Sequence, residues 1–244
     1  MTNKLLIDAV NRSDHAAVEL AFKNGTDPDM EDEEGRPLLK LAVRAAISYA
    51  PALSKIEIVE MVLKAGPNLE AADETGMTVL SYAVQACSLS VGLILIKAGA
   101  SIESLDCDGI SVLGHAFRLP KFRSRRTEGV CMLLDAGADA DKFLMSTGRS
   151  VLEKAIASTD ADLVKQLLAR GHNPRQVNSK TGKSPAQVAK ELLHVSELEN
   201  NDAIGNVPLR QICLDMKVYT DCLEARDAIE SVAPKTRLPI RTLP

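Results

Sequence analysis

The chain has 244 residues, of which 45% are apolar but only 3% aromatic and none Trp, so a core must be built from Leu, Ile, Val and Ala, as close-packed helices allow. A net charge of −4 gives no general attraction to nucleic acid or acidic membrane, and no stretch approaches 18 uninterrupted apolar residues, which sets aside binding by bulk charge and membrane insertion. Five cysteines (Cys87, Cys107, Cys131, Cys213 and Cys222) include no C-x-x-C pair and leave one over under any pairing, which argues against a disulfide framework and for a reducing cytoplasm.

The first element opens with polar Thr2, Asn3 and Lys4, runs through Leu5-Leu-Ile-Asp-Ala9, and is charged at Asp8 before any signal-length apolar run develops. It lacks a preceding glycine turn, as suits an N-terminal cap, and a second short helix, LAFKNG, ends at Gly25. The same two-helix unit then recurs with a glycine turn in front. The first helices read GRPLLKLA from Gly35, GMTVLSYA from Gly76, GISVLGHA from Gly109, GRSVLEKA from Gly148 and GKSPAQVA from Gly182. The second helices close on Gly66, Gly99, Gly137 and Gly171.

The marker alanines Ala9, Ala42, Ala83, Ala116, Ala155 and Ala189 are 33, 41, 33, 39 and 34 residues apart, an underlying period of 33. From alanine to closing glycine the distance is 16 residues in repeats one, three and five, 24 in repeat two and 21 in repeat four. The irregularity is therefore insertion between the two helices of repeats two and four, at 46–55 and 119–127. Thr78, Ser111, Ser150 and Ser184 stand where a hydroxyl caps a starting helix, with Pro185 at a first helical position. Two antiparallel helices and a turn cannot bury their apolar faces alone, so the units stack. After Ala189 a helix continues over 191–199, 200–205 reads as a loop, Leu209 to Val232 as a long amphipathic helix, and 234–244, with Pro234, Pro239 and Pro244, as an irregular tail.

Glycine, hydroxyl, apolar pair and alanine, followed by an apolar helix closed by glycine, at a 33-residue period, resemble the ankyrin repeat over residues 4–190. The resemblance implies an all-α, ankyrin-like solenoid of six stacked helix-turn-helix repeats over 1–199, with an atypical capping helix over 200–233. The family's T-P-L-H tetrad stands here as PLLK, TVLS, SVLG, SVLE and SPAQ, so its histidine is absent from every copy.

Chemistry-bearing motifs are few. Gly182-Lys183-Ser184 has the ending of a phosphate-cradling loop, but Val177 occupies the place of the required glycine and no strand precedes it; the repeat register accounts for both Gly182 and Ser184. His15, His115, His172 and His194 lack metal-ligand spacing, and Cys213 and Cys222 fall on opposite faces of a helix. No cofactor, metal or catalytic residue is expected. The basic run Lys121-Phe-Arg-Ser-Arg-Arg126 reads first as a solvated loop, then as a contact for an acidic protein patch or, least, for nucleic acid. The apolar insertion 46–55 reads as local packing, its helix reaching Ala50, broken by Pro51, with Leu53 folded back; a protein-docking finger is the alternative.

What the resemblance implies for function is a protein-binding scaffold, monomeric when free, rather than an enzyme. Its variable turn and first-helix positions map onto Asp32, Glu33, Glu34, Arg36 and Arg44; Asp73, Glu74, Met77 and Gln85; Cys107, Asp108, Ile110 and Arg118; Ser146, Thr147, Arg149 and Ser158; and Lys180, Thr181, Lys183 and Glu191. Residues 1–110 carry 17 acidic against 9 basic residues and 111–244 carry 16 against 20, so the turns are expected to run from acidic to basic along the chain. An adaptor, inhibitor or immunity factor fits this reading, with a host-directed effector or regulatory subunit active through its C-terminal segment as the alternative.

Overall fold

Helix starts and stops lie where capping chemistry puts them. In the computed structural model, which describes residues 3–47, 53–118, 123–140, 148–179, 181–198 and 206–232, the elements in chain order are α1 (Asn3–Arg12), α2 (His15–Lys23), α3 (Leu38–Ala46), α4 (Leu53–Lys64), α5 (Val79–Gln85), α6 (Leu89–Lys97), α7 (Val112–His115), α8 (Arg123–Asp135), α9 (Val151–Ala157), α10 (Ala161–Ala169), α11 (Pro185–Leu198) and α12 (Asn206–Val232). Thr78 Oγ1 accepts the Ser81 N–H and Ser111 Oγ the Gly114 N–H, satisfying first-turn donors of α5 and α7. Ser184 and Gln187 form a reciprocal capping box at α11: Ser184 N–H donates to Gln187 Oε1 at 2.8 Å and Gln187 N–H to Ser184 Oγ at 3.3 Å. Between the two helices of repeats one, three and five, Ser13, Cys87 and Thr159 each take a left-handed backbone, with φ of 58°, 54° and 52°. Each stands four residues after its marker alanine, so the uninserted repeats share one turn geometry.

The chain divides into two compact units, Met1–Val151 and Leu152–Pro244. In the first, α1, α3, α5 and α7 pack in a row as first helices, and α2, α4, α6 and α8 pack in a parallel row as second helices. Ala9, Ala42, Ala83 and Ala116 are buried along the first row, with Leu39, Leu80, Val59 and Leu95 filling the space between rows. Among the described residues there is no strand; pairing is limited to isolated antiparallel bridges Glu31 with Pro37, Ala72 with Thr78 and Leu105 with Ser111, each closing one hairpin turn ahead of a first helix.

In the second unit, α12 packs on α10 and α11 and buries Leu209, Ile212 and Met216, three residues spaced to share one helix face. Ala155 and Ala189 are buried like their counterparts. At the position four residues beyond the closing glycine Gly171, Arg175 reaches Glu224 and the Thr220 carbonyl of α12. Helix α12 begins three residues earlier than the amphipathic pattern places it, at Asn206, with Pro208 inside its first turn, where a missing N–H costs nothing. The tail beyond 232 and the loop over 199–205 lie outside the described residues.

Two local expectations change, and one first helix is shorter than its counterparts. Helix α3 ends at Ala46, capped by Ile47, rather than reaching Ala50, and Leu53 starts α4 with 79% of its surface in solvent instead of folding back onto the repeat. Repeat four has a first helix of only four residues, Val112–His115, where Gly114 weakens helix propensity. The basic run is not a uniformly solvated loop: α8 begins at Arg123, and Arg126 is buried with its guanidinium 5.8 Å from the centre of the Phe117 ring, leaving Arg125 exposed. Lys121 and Phe122 lie outside the described residues.

Candidate functional site

The hairpin turns at Gly35, Gly76 and Gly109 are each organised by an aspartate three residues before the glycine. Asp32 Oδ1 accepts the N–H groups of Glu34 and Arg36, Asp73 Oδ1 those of Thr75 and Met77, and Asp106 Oδ1 those of Asp108 and Ile110. The short acidic side chain thus closes the turn on its own backbone, while the glycine takes the left-handed conformation (Gly76 φ 78°) that the reversal needs. At Gly76 there is also no room for a side chain, because a Cβ would lie 2.6 Å from the backbone nitrogen of Cys107 in the next turn. Cys107 N–H donates to the Thr75 carbonyl at 3.0 Å, so these two turns stand in contact.

The second oxygen of each aspartate meets a cation or a histidine. Asp32 Oδ2 takes the Arg36 guanidinium at 2.6 Å, Asp73 Oδ2 takes Lys40 Nζ, and Asp106 Oδ2 is 3.1 Å from His115 Nε2 and 4.0 Å from Arg118. Burial alone would raise the Asp73 carboxyl. Hydrogen bonds from Lys40, Thr75 and the Met77 N–H, together with the Lys40 charge, outweigh it and hold the group at about 2. Asp32 is lowered in the same manner, its burial overcome by the bonds from Arg36 and Glu34. His115, fully buried, is pulled below the ordinary imidazole range by desolvation in spite of Asp106. In these three turns the aspartates are therefore compensated, and the exposed acidic side chains are Glu31, Glu33, Glu34, Glu74 and Asp108, of which Glu34 meets Arg36 at 2.6 Å.

The fourth position of the tetrad, where the family places histidine, ties one repeat to the next turn with other chemistry. Lys40 occupies it in repeat two and reaches Asp73 in the turn of repeat three. Within the second unit Glu153 occupies it in repeat five; its carboxylate is buried and accepts Asn178 Nδ2 at 2.6 Å, with Thr181 Oγ1 3.5 Å away, both from the turn of repeat six.

A second ladder runs along the loops that follow the closing glycines of the first unit. Asp29, Glu70 and Glu103, each four residues after its glycine, accept the N–H groups of Asn68, Ser101 and Asp139, each two residues after the next glycine, at 2.6, 2.7 and 3.0 Å. These carboxylates are engaged in stacking and leave the binding question to the turns and first helices. The signal was in the sequence, as an acidic residue at a fixed offset from each glycine, but the offset has meaning only once neighbouring repeats are placed side by side.

Of the turn and first-helix positions, Glu33, Glu34, Arg44, Glu74, Cys107, Asp108, Arg118 and Arg149 are exposed in the first unit, and Thr181, Lys183 and Glu191 in the second. Asp32, Arg36, Asp73, Gln85 and Ser158 are half-buried. Met77 and Ile110 point into the core, because the residue after each turn glycine begins the run that packs against the first helix. Ser146, Thr147 and Lys180 lie outside the described residues. A groove of ≈530 Å³ between α1 and the first turn brings Asp32, Glu33, Glu34 and Arg36 together with Lys4 and Asp8. In the second unit Lys183 and Glu191 are an ion pair at 2.6 Å, so the lysine of the phosphate-loop look-alike is engaged by its own helix. Among the described residues no three metal-ligating side chains converge, and no helix is long and apolar enough to cross a membrane.

Residues 6–106 match the family model for ankyrin repeats, in three copies. A crystal structure of an ankyrin repeat domain from Acinetobacter baumannii superposes with a TM-score of 0.67 at 22% identity, over 88% of this chain and 97% of that one. No curated protein matches.

Proposed function

We propose that the chain, whose residues 6–106 match ankyrin repeats, a protein-protein interaction module, is a binding scaffold that holds another protein against its hairpin turns and first helices. The observation that carries this reading is the division of labour inside each turn. The aspartates and glycines are consumed in building and bracing the finger, whereas the residues between them, Glu33, Glu74 and Asp108, project into solvent, the last two on fingers that touch through the Cys107 N–H and the Thr75 carbonyl. A rigid row of exposed, variable side chains is a surface suited to recognition rather than to bond-making, since its backbone is ordered before a partner arrives.

The chemistry of the first unit's fingers favours a partner patch carrying Lys or Arg. The groove between α1 and the first turn, whose wall also holds Lys4 and the Arg36–Glu34 pair, supplies one concave place for a basic side chain beside Asp8 and Glu33. Action by surface occlusion, as an adaptor, inhibitor or immunity-type protein, follows from a scaffold of this kind. The packing of α12 on α10 and α11, with Leu209, Ile212 and Met216 buried, supports its role as a cap over a role as a separate active segment. The test is capture of the partner by affinity purification and mass spectrometry, followed by Glu33→Lys/Glu74→Lys. A fall of about tenfold or more in association rate at low salt, with helicity unchanged, is the expected result; an unaltered rate would place binding on another surface.

A further inference from the structure

From the second unit we infer an additional docking surface, independent of the turn strip: the groove between α11 and α12, fitted to an amphipathic helix that carries acidic side chains. The groove has a volume of ≈440 Å³ and is lined by Lys190 of α11 and by Arg210, Leu214, Met216, Lys217 and Thr220 of α12. Met216 belongs to the core and forms the floor, while Leu214 is 55% exposed on the wall and Val218, one turn further along the same side, is 56% exposed. Leu214 and Val218 thus form an exposed apolar strip on the side of α12 away from buried Leu209, Ile212 and Met216, and Leu214 carries its edge into the groove.

The charge around the strip selects the occupant. Lys190 and Lys217 are exposed at opposite walls. Among the described carboxylates of these helices, Glu191 is directed to Lys183, Glu224 to Arg175 and Asp215 to Gln211 at 2.7 Å, while Asp221 is exposed one turn beyond Lys217, so the cationic end of the rim is the one formed by Lys190, Arg210 and Lys217. An apolar floor between cations fits a segment with leucine-like residues on one face and Glu or Asp flanking them, which neutralises the rim while covering Leu214. A second copy of the chain fits poorly, because a two-fold pairing through this groove sets Lys190 and Lys217 against their own counterparts. The chain's own segment over 233–244 fits poorly as well, since it carries Lys235, Arg237 and Arg241 and no Asp or Glu. From Arg210 to Thr220 the wall runs for about 15 Å, room for about three turns of a partner helix.

The experiment uses the full chain and a fluorescein-labelled amphipathic peptide of about four turns, leucine on one face and glutamate on the other, with a lysine-for-glutamate peptide as control. Fluorescence anisotropy is expected to show saturable binding of the glutamate peptide only. The affinity should fall about tenfold in Lys190→Glu/Lys217→Glu and in Leu214→Ser, whose exposed side chains leave the core untouched, and stay unchanged in Glu33→Lys/Glu74→Lys, which separates this surface from the turn strip. Equal binding of both peptides, no binding of either, or an affinity indifferent to the groove variants overturns the proposal. So does a concentration-dependent dimer abolished by Leu214→Ser in sedimentation, which gives the groove to a second copy, or retention on phosphatidylglycerol vesicles lost in the Lys190→Glu/Lys217→Glu variant, which gives it to a membrane.

Discussion

Replacing Lys40 by Met keeps most of the buried stem and removes the ammonium, which both holds Asp73 and lies 5.8 Å from the centre of the Tyr82 ring, so the pH dependence and the coupling to Asp73 isolate the tie between repeats two and three. The depression of Asp73 from 3.8 to about 2 converts to about 2.4 kcal/mol at face value. The turn is open to solvent, and the bonds from Thr75 and the Met77 N–H survive the substitution, so the share owed to Lys40 is about 1 kcal/mol. Because the folded carboxyl titrates below its unfolded value, this stabilisation is complete above about pH 5 and is lost as the pH falls through about 2. Urea melts followed by circular dichroism should therefore show Lys40→Met weaker than the parent by about 1 kcal/mol at pH 7, with the gap closing below pH 4. A cycle with Asp73→Asn should give a coupling of about 1 kcal/mol. A gap of the same size at pH 7 and pH 2.5, or a coupling below about 0.3 kcal/mol, would refute the ion-pair account and leave Lys40 acting through its contact with Tyr82.

Thr159→Gly should stabilise the second unit by about 1 kcal/mol, because a β-branched residue is held at φ 52° there, and Ser13→Gly and Cys87→Gly should do the same less strongly in the first; any loss of stability in urea would show that these side chains hold their turns. Gly25→Ala should cost about 1 kcal/mol, the strain of its positive φ alone, whereas Gly76→Ala should cost over about 2 kcal/mol as its new methyl drives into the Cys107 backbone; equal midpoints would mean that the two turns do not touch. Ala83→Leu and Ala116→Leu should cost about 1–3 kcal/mol by overpacking between first helices, and Ala157→Leu, at a half-buried position, much less; equal losses in thermal melts would put the repeat register in error.

The repeat was legible because its markers are local. A closing glycine at positive φ, a hydroxyl cap and a buried alanine each answer a requirement of a single helix or turn, so Gly66, Thr78 and Ala83 could be assigned from spacing alone. Contacts between repeats were not legible in this way. Nothing local distinguishes Lys40, which is buried against Asp73, from a solvated lysine, or Glu153, which is covered by Asn178, from an ordinary helix glutamate. Asp32 and Asp73 fall at the family's variable turn positions, but their oxygens are spent on backbone N–H groups and neighbouring cations, which spacing does not show. Met77 and Ile110 were drawn into the strip by position, although their apolar character is that of the core they join. The basic run misled for a related reason, since composition shows charge but not that Arg126 lies over Phe117.

Site-specific photocrosslinking in the native cell tests the central claim most directly. A benzoylphenylalanine placed singly at Glu33, Glu74 and Asp108 on the fingers, and at Glu19, Leu93 and Glu128 on the second helices, samples both faces of the first unit at exposed positions. A scaffold that grips through its turns should give one common protein adduct from the three finger positions and none from the second helices. The same adduct from Glu19, Leu93 and Glu128 with none from the fingers would contradict the account and move the binding surface to the opposite row.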